Sequence, residues 1–391
     1  MKLGVVTTSY PRFAGDPAGS FVAGHVTALR TLGHDVEVIA AGRRDERDHR
    51  QGATHGSSQV GGVDDALGPR DGVSVTRVGG TRLFYEGGAP DALERAPVAA
   101  GVDAAMFTAR MTAAVIARAR RWDAIIAHWL VPSAIAALPT ARPLTAIAHG
   151  GDVFTLRRLR LLGVALHALH HRGARLVFVS DHLRALARDA APGLAPWLDE
   201  AIVQPMGVDL ARFAGLARAP SAPPTVLVVA RLVPIKGVDV AIAAMRHVRS
   251  AARLVIAGDG PERSRLEALA VVPPPSGAGP TFLGQVTTAQ RDDLLRTAGV
   301  VVVPSRVLPS GRVEGAPLIA LEALAAGVPV IASAVGGHIE LPGIHRVTPD
   351  EPRELARAID QILASPPSPE SLRAAVAAFD WRAVAPRLLR A

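Results

Sequence analysis

The sequence has no cysteine, almost no lysine and few aromatic residues. Without cysteine there is no disulfide and no thiolate metal site, although that alone does not fix the compartment. Aromatic side chains make up 4% of the 391 residues, which is thin for a protein that stacks bases. The net charge is +8, spread evenly: residues 1–200 carry 23 Lys+Arg against 19 Asp+Glu and the rest 20 against 16, or +4 each. Nucleic-acid binders concentrate basic residues on one face, so no nucleic-acid partner is expected. No run of 18 uncharged apolar residues occurs, so no transmembrane helix is expected. The opening Met1-Lys-Leu-Gly-Val-Val-Thr-Thr8 leads straight into a strand without a signal-peptide layout, and the cytoplasm is the default expectation. Of the 43 basic residues only Lys2 and Lys236 are lysines. A chain that uses arginine almost everywhere and keeps Lys236 either needs a compact ammonium there or shows chance; composition leaves both open.

What is present is a long, mixed α/β pattern. The chain exceeds one core, so two domains are expected: 1–213, a Pro/Ala linker at 214–224, a second domain over 225–375 and a last segment at 376–391. Strand-like runs fall at 2–8, 35–40, 73–78, 123–128, 143–149, 175–180 and 201–204, and again at 225–230, 253–257, 280–283, 300–303 and 329–332. Helical patterns lie between most of them, notably Phe21–Leu32 and Val98–Arg121. Such alternation predicts two doubly wound Rossmann-like domains facing across a cleft that holds the site. The first loop, Ser9 to Ser20, is rich in Gly and Pro but does not match G-x-G-x-x-G, which argues against a dinucleotide dehydrogenase. Residues 42–72 lack apolar periodicity and read as a mobile surface loop. The basic and apolar stretch Leu156–Arg172 fits an anionic membrane surface or a lipid-linked acceptor; it also fits a core helix with a solvated Arg face, the simpler reading.

Candidate site residues stand at strand ends, where open α/β sheets bind ligands. In the first half these are His128 and His149, the latter followed by two glycines and by Asp152 as an orienting carboxylate. In the second half Arg231 and Lys236 flank a loop suited to clamping a diphosphate. Gly258-Asp-Gly-Pro261 reads as a tight turn, and Phe282-Leu-Gly284 offers backbone groups to a flat base. Pro304-Ser305 and Glu314 close the series. Residues 316–326 read as a helix apolar on every side but for Glu322, so Glu322 is a buried carboxylate whose charge must be answered. Glu314 lies eight residues upstream, on the order of 12 Å along a helix axis. That exceeds the roughly 5–9.5 Å of a glycosidase acid/base pair and suits two acceptors on one elongated ligand.

The order Arg231…Lys236, Gly258-Asp-Gly, Phe282-Leu-Gly, Pro304-Ser and Glu314-Gly-x-Pro…Glu322-Ala-x-Ala-x-Gly-x-Pro-Val-Ile-Ala resembles retaining GT-B glycosyltransferases of the family-4 type, the glycosyl transferases group 1. Ser9-Tyr-Pro-Arg12, Gly33-His-Asp-Val-Glu-Val, His149-Gly-x-Asp152, Val179-Ser180 and Gly207-Val-Asp-x-x-x-Phe213 extend the resemblance over essentially the whole chain. The segment Phe379-Asp-Trp-Arg-Ala-Val resembles the family's C-terminal helix, which crosses back to the first domain. The resemblance implies a nucleotide-sugar donor and a hydroxyl acceptor that is a glycan, a lipid-linked molecule or a small molecule. Transfer would proceed with retention and without a metal or other cofactor; no Asp-x-Asp pair occurs. Arg231 and Lys236 would hold the donor phosphates, Glu322 the ribose, and Glu314 with the backbone of Gly315, Ala316, Pro317 and Leu318 the sugar. Gly19, Gly258 and Gly284 would line the donor; His128, His149 and Asp152 would stand on the acceptor side, His149 near the chemistry. Ala230 and Met206 depart from the Gly and Asn usual in the family, which narrows the strand end without touching the charges. An epimerase or phosphorylase of the same fold, and a silent nucleotide-sugar binder, stay open, as does a peripheral place on the inner membrane face.

Overall fold

The computed structural model describes residues 1–42 apart from 14 and 17, then 73–79, 83–84, 89, 97–271 and 279–389. The chain forms two compact units. Unit 1 comprises Met1–Phe178, Arg184–Val203 and Ala385–Ala391; unit 2 comprises Val179–Leu183 and Gln204–Val384. Residues 204–224, read above as a domain end and a linker, cluster with unit 2. Val208 exchanges backbone hydrogen bonds with Phe379 and Trp381, and Ala219 and Ser221 donate to the carbonyls of Arg296 and Thr297.

Unit 1 is built on β1 (Lys2–Val6), β2 (Asp35–Ala41), β3 (Ser74–Val78), β4 (Ala124–His128), β5 (Leu144–Ala148), β6 (Arg175–Phe178) and β7 (Ile202–Val203), in spatial order β3-β2-β1-β4-β5-β6-β7. Unit 2 is built on β8 (Thr225–Val229), β9 (Arg253–Ala257), β10 (Thr281–Gly284), β11 (Ala298–Val303), β12 (Val330–Ser333) and β13 (Ile344–Val347), in order β10-β9-β8-β11-β12-β13. The named strands pair in parallel, Leu3–Val6 lying against Ala124–Ala127 for example. Runs such as Ala124-Ile-Ile-Ala-His128 and Leu144-Thr-Ala-Ile-Ala148 are buried throughout, as a sheet covered on both faces requires. Every expected strand is present, with ends moved by two residues or fewer. Strand β13 was not expected, because Ile344-His-Arg-Val347 is too short and polar to register as an apolar run.

Helices cover both sheets. In unit 1, α1 (Ser20–Thr31) turns Val22, His25, Val26 and Leu29 inward at i, i+3, i+4 and i+7. Helix α2 (Pro97–Ala119) buries Phe107, Met111, Val115 and Ala119. Among the described residues, the stretch Ala99–Ala119 is long and apolar enough to cross a membrane by length and composition, with a mean hydropathy of 1.2. Its buried stripe is that of a helix lying on a sheet. The basic stretch 156–172 splits into α3 (Gly151–Arg158) and α4 (Leu162–His171). Leu162, Ala165, Leu166 and Leu169 are core, whereas Leu159, Leu161 and Val164 are exposed beside Arg157, Arg158 and Arg160. The core-helix reading therefore accounts for α4 and not for the turn before it.

In unit 2, α5 (Val238–Met245) covers one sheet face and α7 (Leu318–Ala325) the other, with α6 (Thr288–Thr297) beside β8 and β11. Alternation along β8 divides the core: Val226 and Val228 pack toward α5 and α8 (Pro352–Ala364), Leu227 toward α7. The helix expected over 316–326 is two residues shorter at its start. Pro317 biases Ala316 away from helical backbone and serves as an extended N-cap. Both strand orders reverse once, at β1/β4 and at β8/β11, where open sheets bind ligands.

Candidate functional site

Unit 2 gathers charged groups at the carboxyl ends of its strands. Lys236 follows β8, Ser305 follows β11 and His338 follows β12, and all three reach Glu314 in the loop between β11 and α7. Lys236 Nζ donates to Oε1 and Ser305 Oγ to Oε2 of that carboxylate. His338 Nε2 stands 3.5 Å from Oε2, and its Nδ1 donates to the Ser333 carbonyl at 3.0 Å. Burial pushes the Glu314 carboxyl up, but the Lys236 ammonium and His338 more than offset it, so the group is held well below the usual carboxylate range. A fixed anion thus sits with a lysine beside the β8/β11 reversal.

Glu322 lies on α7 with its side chain 12% exposed. Its Oε1 meets Arg291 Nη2 at 2.9 Å and Arg212 Nη1 at 3.7 Å. Arg212 is itself held by Asp292, through Nε at 2.8 Å and through Nη2. The buried charge is therefore answered by two arginines of the chain, neither of which the sequence pattern singles out. Burial nonetheless dominates and raises the Glu322 carboxyl above its ordinary range. Its Oε2 is buried without a hydrogen-bond partner, an acceptor aimed at nothing among the described residues.

The other expected donor residues occupy the same end of the sheet. Arg231 is exposed just after β8. Gly258 (φ +138) presses on the Ala230 backbone so closely that a Cβ would lie 1.8 Å from the Ala230 oxygen, so its glycine serves packing. Its N–H donates to the Gly284 carbonyl at 2.7 Å. The Gly284 carbonyl, in the stretch expected to offer backbone groups to a flat base, thus already accepts one hydrogen bond within the unit. Gly315, Ala316 and Pro317 lead into α7, where Leu318 opens the helix and the first N–H groups have no intrahelical partner.

Unit 1 builds a different site at its own reversal. Gly19 is the left-handed N-cap of α1 (φ +69), and a Cβ there would lie 2.4 Å from the Ser9 carbonyl. Two residues later Phe21 begins an aromatic cluster with Trp129 and His149, whose ring centroids lie 5.2 Å (Phe21) and 4.8 Å (Trp129) from that of His149. Trp129 holds φ 73, a costly backbone for a bulky residue. His149 is partly buried; its Nε2 is 3.0 Å from His128 Nδ1, and His128 Nε2 is 3.1 Å from His25 Nδ1. Burial pushes His25 and His149 down to about 3 and His128 well below its ordinary value.

Two expectations change here. His128 is fully buried, so it holds His149 and does not itself face an acceptor. Asp152 is also buried and accepts from the backbone N–H groups of His149 (3.1 Å), Gly150 (2.9 Å) and Leu130 (2.7 Å). It fixes the turn, and it does not orient the imidazole. His25 was missed, although its position on the apolar stripe of α1 marks it as a histidine in the core. Among the described residues no group of three or more His, Cys, Asp or Glu side chains is arranged to hold a metal ion. Residues 43–72, within the stretch read above as a mobile surface loop, and most of 80–96 lie outside the described residues.

Comparison with known proteins adds the following. Residues 217–378 match the family described as glycosyl transferases group 1. Glycogen synthase of Mycobacterium tuberculosis is 32% identical over 311 residues, covering 72% of this chain and 71% of that protein. The putative colanic acid biosynthesis glycosyltransferase WcaL of Escherichia coli is 32% identical over 234 residues, 57% of this chain and 54% of its own. Among several such relatives the matched part spans 35% to 60% of their length. The Anabaena protein HepE (Alr3699), crystallised in complex with UDP, superposes with a TM-score of 0.66 at 19% identity, over 99% of this chain and 98% of its own.

Proposed function

The chain belongs to the glycosyl transferases group 1 family and has the GT-B fold, and on that premise we propose that it transfers a sugar from a nucleoside-diphosphate donor to a hydroxyl acceptor with retention at the anomeric carbon. The observation that carries this reading is Glu314, kept anionic by Lys236 and Ser305 beside the β8/β11 reversal. A carboxylate there accepts sugar hydroxyls, and the neighbouring ammonium meets the diphosphate. Arg231 shares the phosphate charge. Glu322 Oε2, the buried acceptor without a partner, takes a ribose hydroxyl, and the α7 N-terminus with Gly315 adds N–H donors for the sugar.

In the chemical step the bond from the anomeric carbon to the diphosphate oxygen breaks as the acceptor oxygen bonds to the same face. The acceptor proton passes to the departing phosphate oxygen. Lys236 and Arg231 stabilise the charge that develops on the diphosphate, so the step requires no metal ion. Neither Glu314 nor Glu322 acts as nucleophile, because Glu314 is tied to Lys236 and Ser305 and Glu322 to arginines. Within unit 1, Gly19 at the start of α1 and the partly buried His149 are the groups that meet a sugar or its acceptor. The exposed Arg157-Arg-Leu-Arg-Leu161 turn favours a lipid-linked acceptor met at the cytoplasmic face of a membrane.

Thermal unfolding with UDP, GDP, CDP and ADP tests the donor site, because a ligand of the folded state stabilises it by mass action. One nucleotide is expected to raise Tm well above the others, and its sugar conjugates then serve as donors whose product anomer is read by NMR. Absence of any nucleotide response, or an inverted product, overturns the reading.

A further inference from the structure

Three imidazoles stand in file in unit 1: His25 from α1, His128 from the end of β4 and His149 from just after β5. Both contacts run in the same sense, Nδ1 of the inner ring to Nε2 of the next outer one, at 3.1 Å and 3.0 Å. Burial keeps all three rings neutral over the ordinary pH range. A neutral imidazole has one N–H and one lone pair, and this makes the chain all-or-none. If His149 carries its proton on Nε2, it donates to His128 Nδ1, which must be bare. His128 then carries its own proton on Nε2 and donates to His25 Nδ1, also bare. If His149 is protonated on Nδ1, the same step gives Nδ1–H for all three. Any mixed assignment sets two N–H groups or two lone pairs face to face in a buried place, where an unmade bond costs about 1–3 kcal/mol.

We infer that His25 and His128 are positioning residues that fix, through this shared tautomer, whether His149 offers an N–H or a lone pair at Nδ1. The role at the substrate rests on the transferase reading above; the coupling of the three rings does not. The intrinsic preference of neutral imidazole for Nε2–H, counted three times, selects the state in which His149 Nδ1 is a lone pair. With Nε2 taken by His128, Nδ1 is the remaining polar atom of that ring, and Phe21 and Trp129 pack against it. The ligand chemistry that fits is a neutral donor, a sugar hydroxyl. The identity of that contact is thus set from α1, two hydrogen bonds away.

Nitrogen–proton correlation spectra of the whole chain, without donor or acceptor, resolve each ring's tautomer from its two nitrogen shifts. All three are expected as Nε2–H, and unlike tautomers in any two rings overturn the inference. His25→Leu removes the inner acceptor and leaves the Nε2–H state with a buried, unpaired N–H on His128, a cost that offsets the intrinsic preference for that state. His149 is then expected to populate both tautomers, while turnover falls about 10-fold, the worth of roughly one hydrogen bond, and nucleotide affinity stays within about 2-fold. His25→Asn places an amide oxygen near the former Nδ1 and is expected to restore a single tautomer and turnover to within about 3-fold of wild type. An unchanged His149 spectrum in a folded leucine variant overturns the inference even if turnover falls, because lost packing alone lowers activity. If the leucine variant does not fold, a mixed tautomer in either wild type or the asparagine variant overturns it just as well. Coupled tautomers in a wild-type chain that turns over no nucleotide sugar count against the proposed function and support this inference.

Discussion

The two sites solve polar burial in opposite ways. Unit 2 uses formal charge: Lys236 on Glu314, Arg291 and Arg212 on Glu322, Asp292 on Arg212. Unit 1 uses neutral hydrogen bonds: three uncharged imidazoles in file, and an Asp152 that spends its oxygens on backbone N–H groups. A ligand with two phosphate charges needs opposing charges already in place, since creating them at binding requires reorganisation. A ligand that presents hydroxyls needs direction more than charge. The ionic groups of unit 2 therefore suit a charged ligand and the neutral file of unit 1 suits one that presents hydroxyls, and the contrast can be broken from either side.

The largest effect is expected at Lys236. In Lys236→Ala the charge facing a departing diphosphate is lost, and transfer is expected to fall by about 10²–10³-fold. Glu314 also loses the partner that holds it ionised, and burial then pushes it toward protonation. Steady-state turnover with the Tm monitored in parallel checks this; near-wild-type turnover sinks the phosphate assignment and with it the ionic half of the contrast.

Acid sensitivity distinguishes the two units without any substrate. The folded chain keeps His25, His128 and His149 neutral, with values pushed to about 3 for His25 and His149, while the unfolded chain takes up protons near 6.5. Their contribution to stability is full above about pH 6.5 and is lost as pH falls through the window down to about 3. Each ring adds at most about 1.4 kcal/mol per pH unit within that window. Glu314 behaves otherwise: its folded value is depressed, so its contribution is present above about 4.5 and is lost only below that. Between pH 6.5 and 5 the loss should thus come from unit 1, and His128→Asn should flatten it by up to about 1.4 kcal/mol per pH unit. Urea midpoints across pH in both proteins measure the slope. Identical slopes remove the claim that the imidazoles are buried neutral.

The fold was legible because parallel strands buried on both faces read as apolar runs, and β13 escaped because Ile344-His-Arg-Val347 does not. Glu322 and Lys236 were legible because each is chemically out of place, a carboxylate on an apolar helix and a lysine among arginines, and Glu314 because it stands eight residues before Glu322 at the end of the series of strand-end groups. Their partners were not. Arg291 and Arg212 are two of 41 arginines, and no periodicity distinguishes an arginine that turns inward from one that faces water. His25 shows the intermediate case, since its spacing with Val22, Val26 and Leu29 marks burial but not the ring it touches. Asp152 was placed correctly beside His149 yet given the wrong partner, because sequence proximity does not say whether a carboxylate meets a ring or a backbone.

A smaller effect is expected at Glu322. Glu322→Gln keeps the shape but removes the charge shared by Arg291 and Arg212, and it weakens the acceptor at Oε2. Nucleotide affinity is expected to fall about 10-fold, or about 1.4 kcal/mol, with the fold retained. Calorimetric titration with the preferred nucleotide measures it. Unchanged affinity makes Glu322 a structural acid that holds two arginines, and the ribose contact must then be sought elsewhere in unit 2.

The smallest expected effect asks how the ionic network is held in place. Arg291 rides on the first turn of α6, which Thr287 and Gln290 cap reciprocally: Thr287 Oγ1 accepts from Gln290 N at 3.3 Å and Gln290 Oε1 from Thr287 N at 2.8 Å. Removing the hydroxyl in Thr287→Ala should cost about 1 kcal/mol of stability. The frayed turn lets Arg291 drift from Glu322, yet Arg212 remains, so nucleotide affinity should fall by less than about 3-fold. Thr287→Ser keeps the cap and should keep both quantities. If Thr287→Ala instead weakens the nucleotide as much as Glu322→Gln does, then Arg291 acts only where the helix start puts it. The charges of unit 2 would then depend on backbone geometry as strictly as the imidazole file of unit 1, and the contrast would narrow to the ligand's own charge.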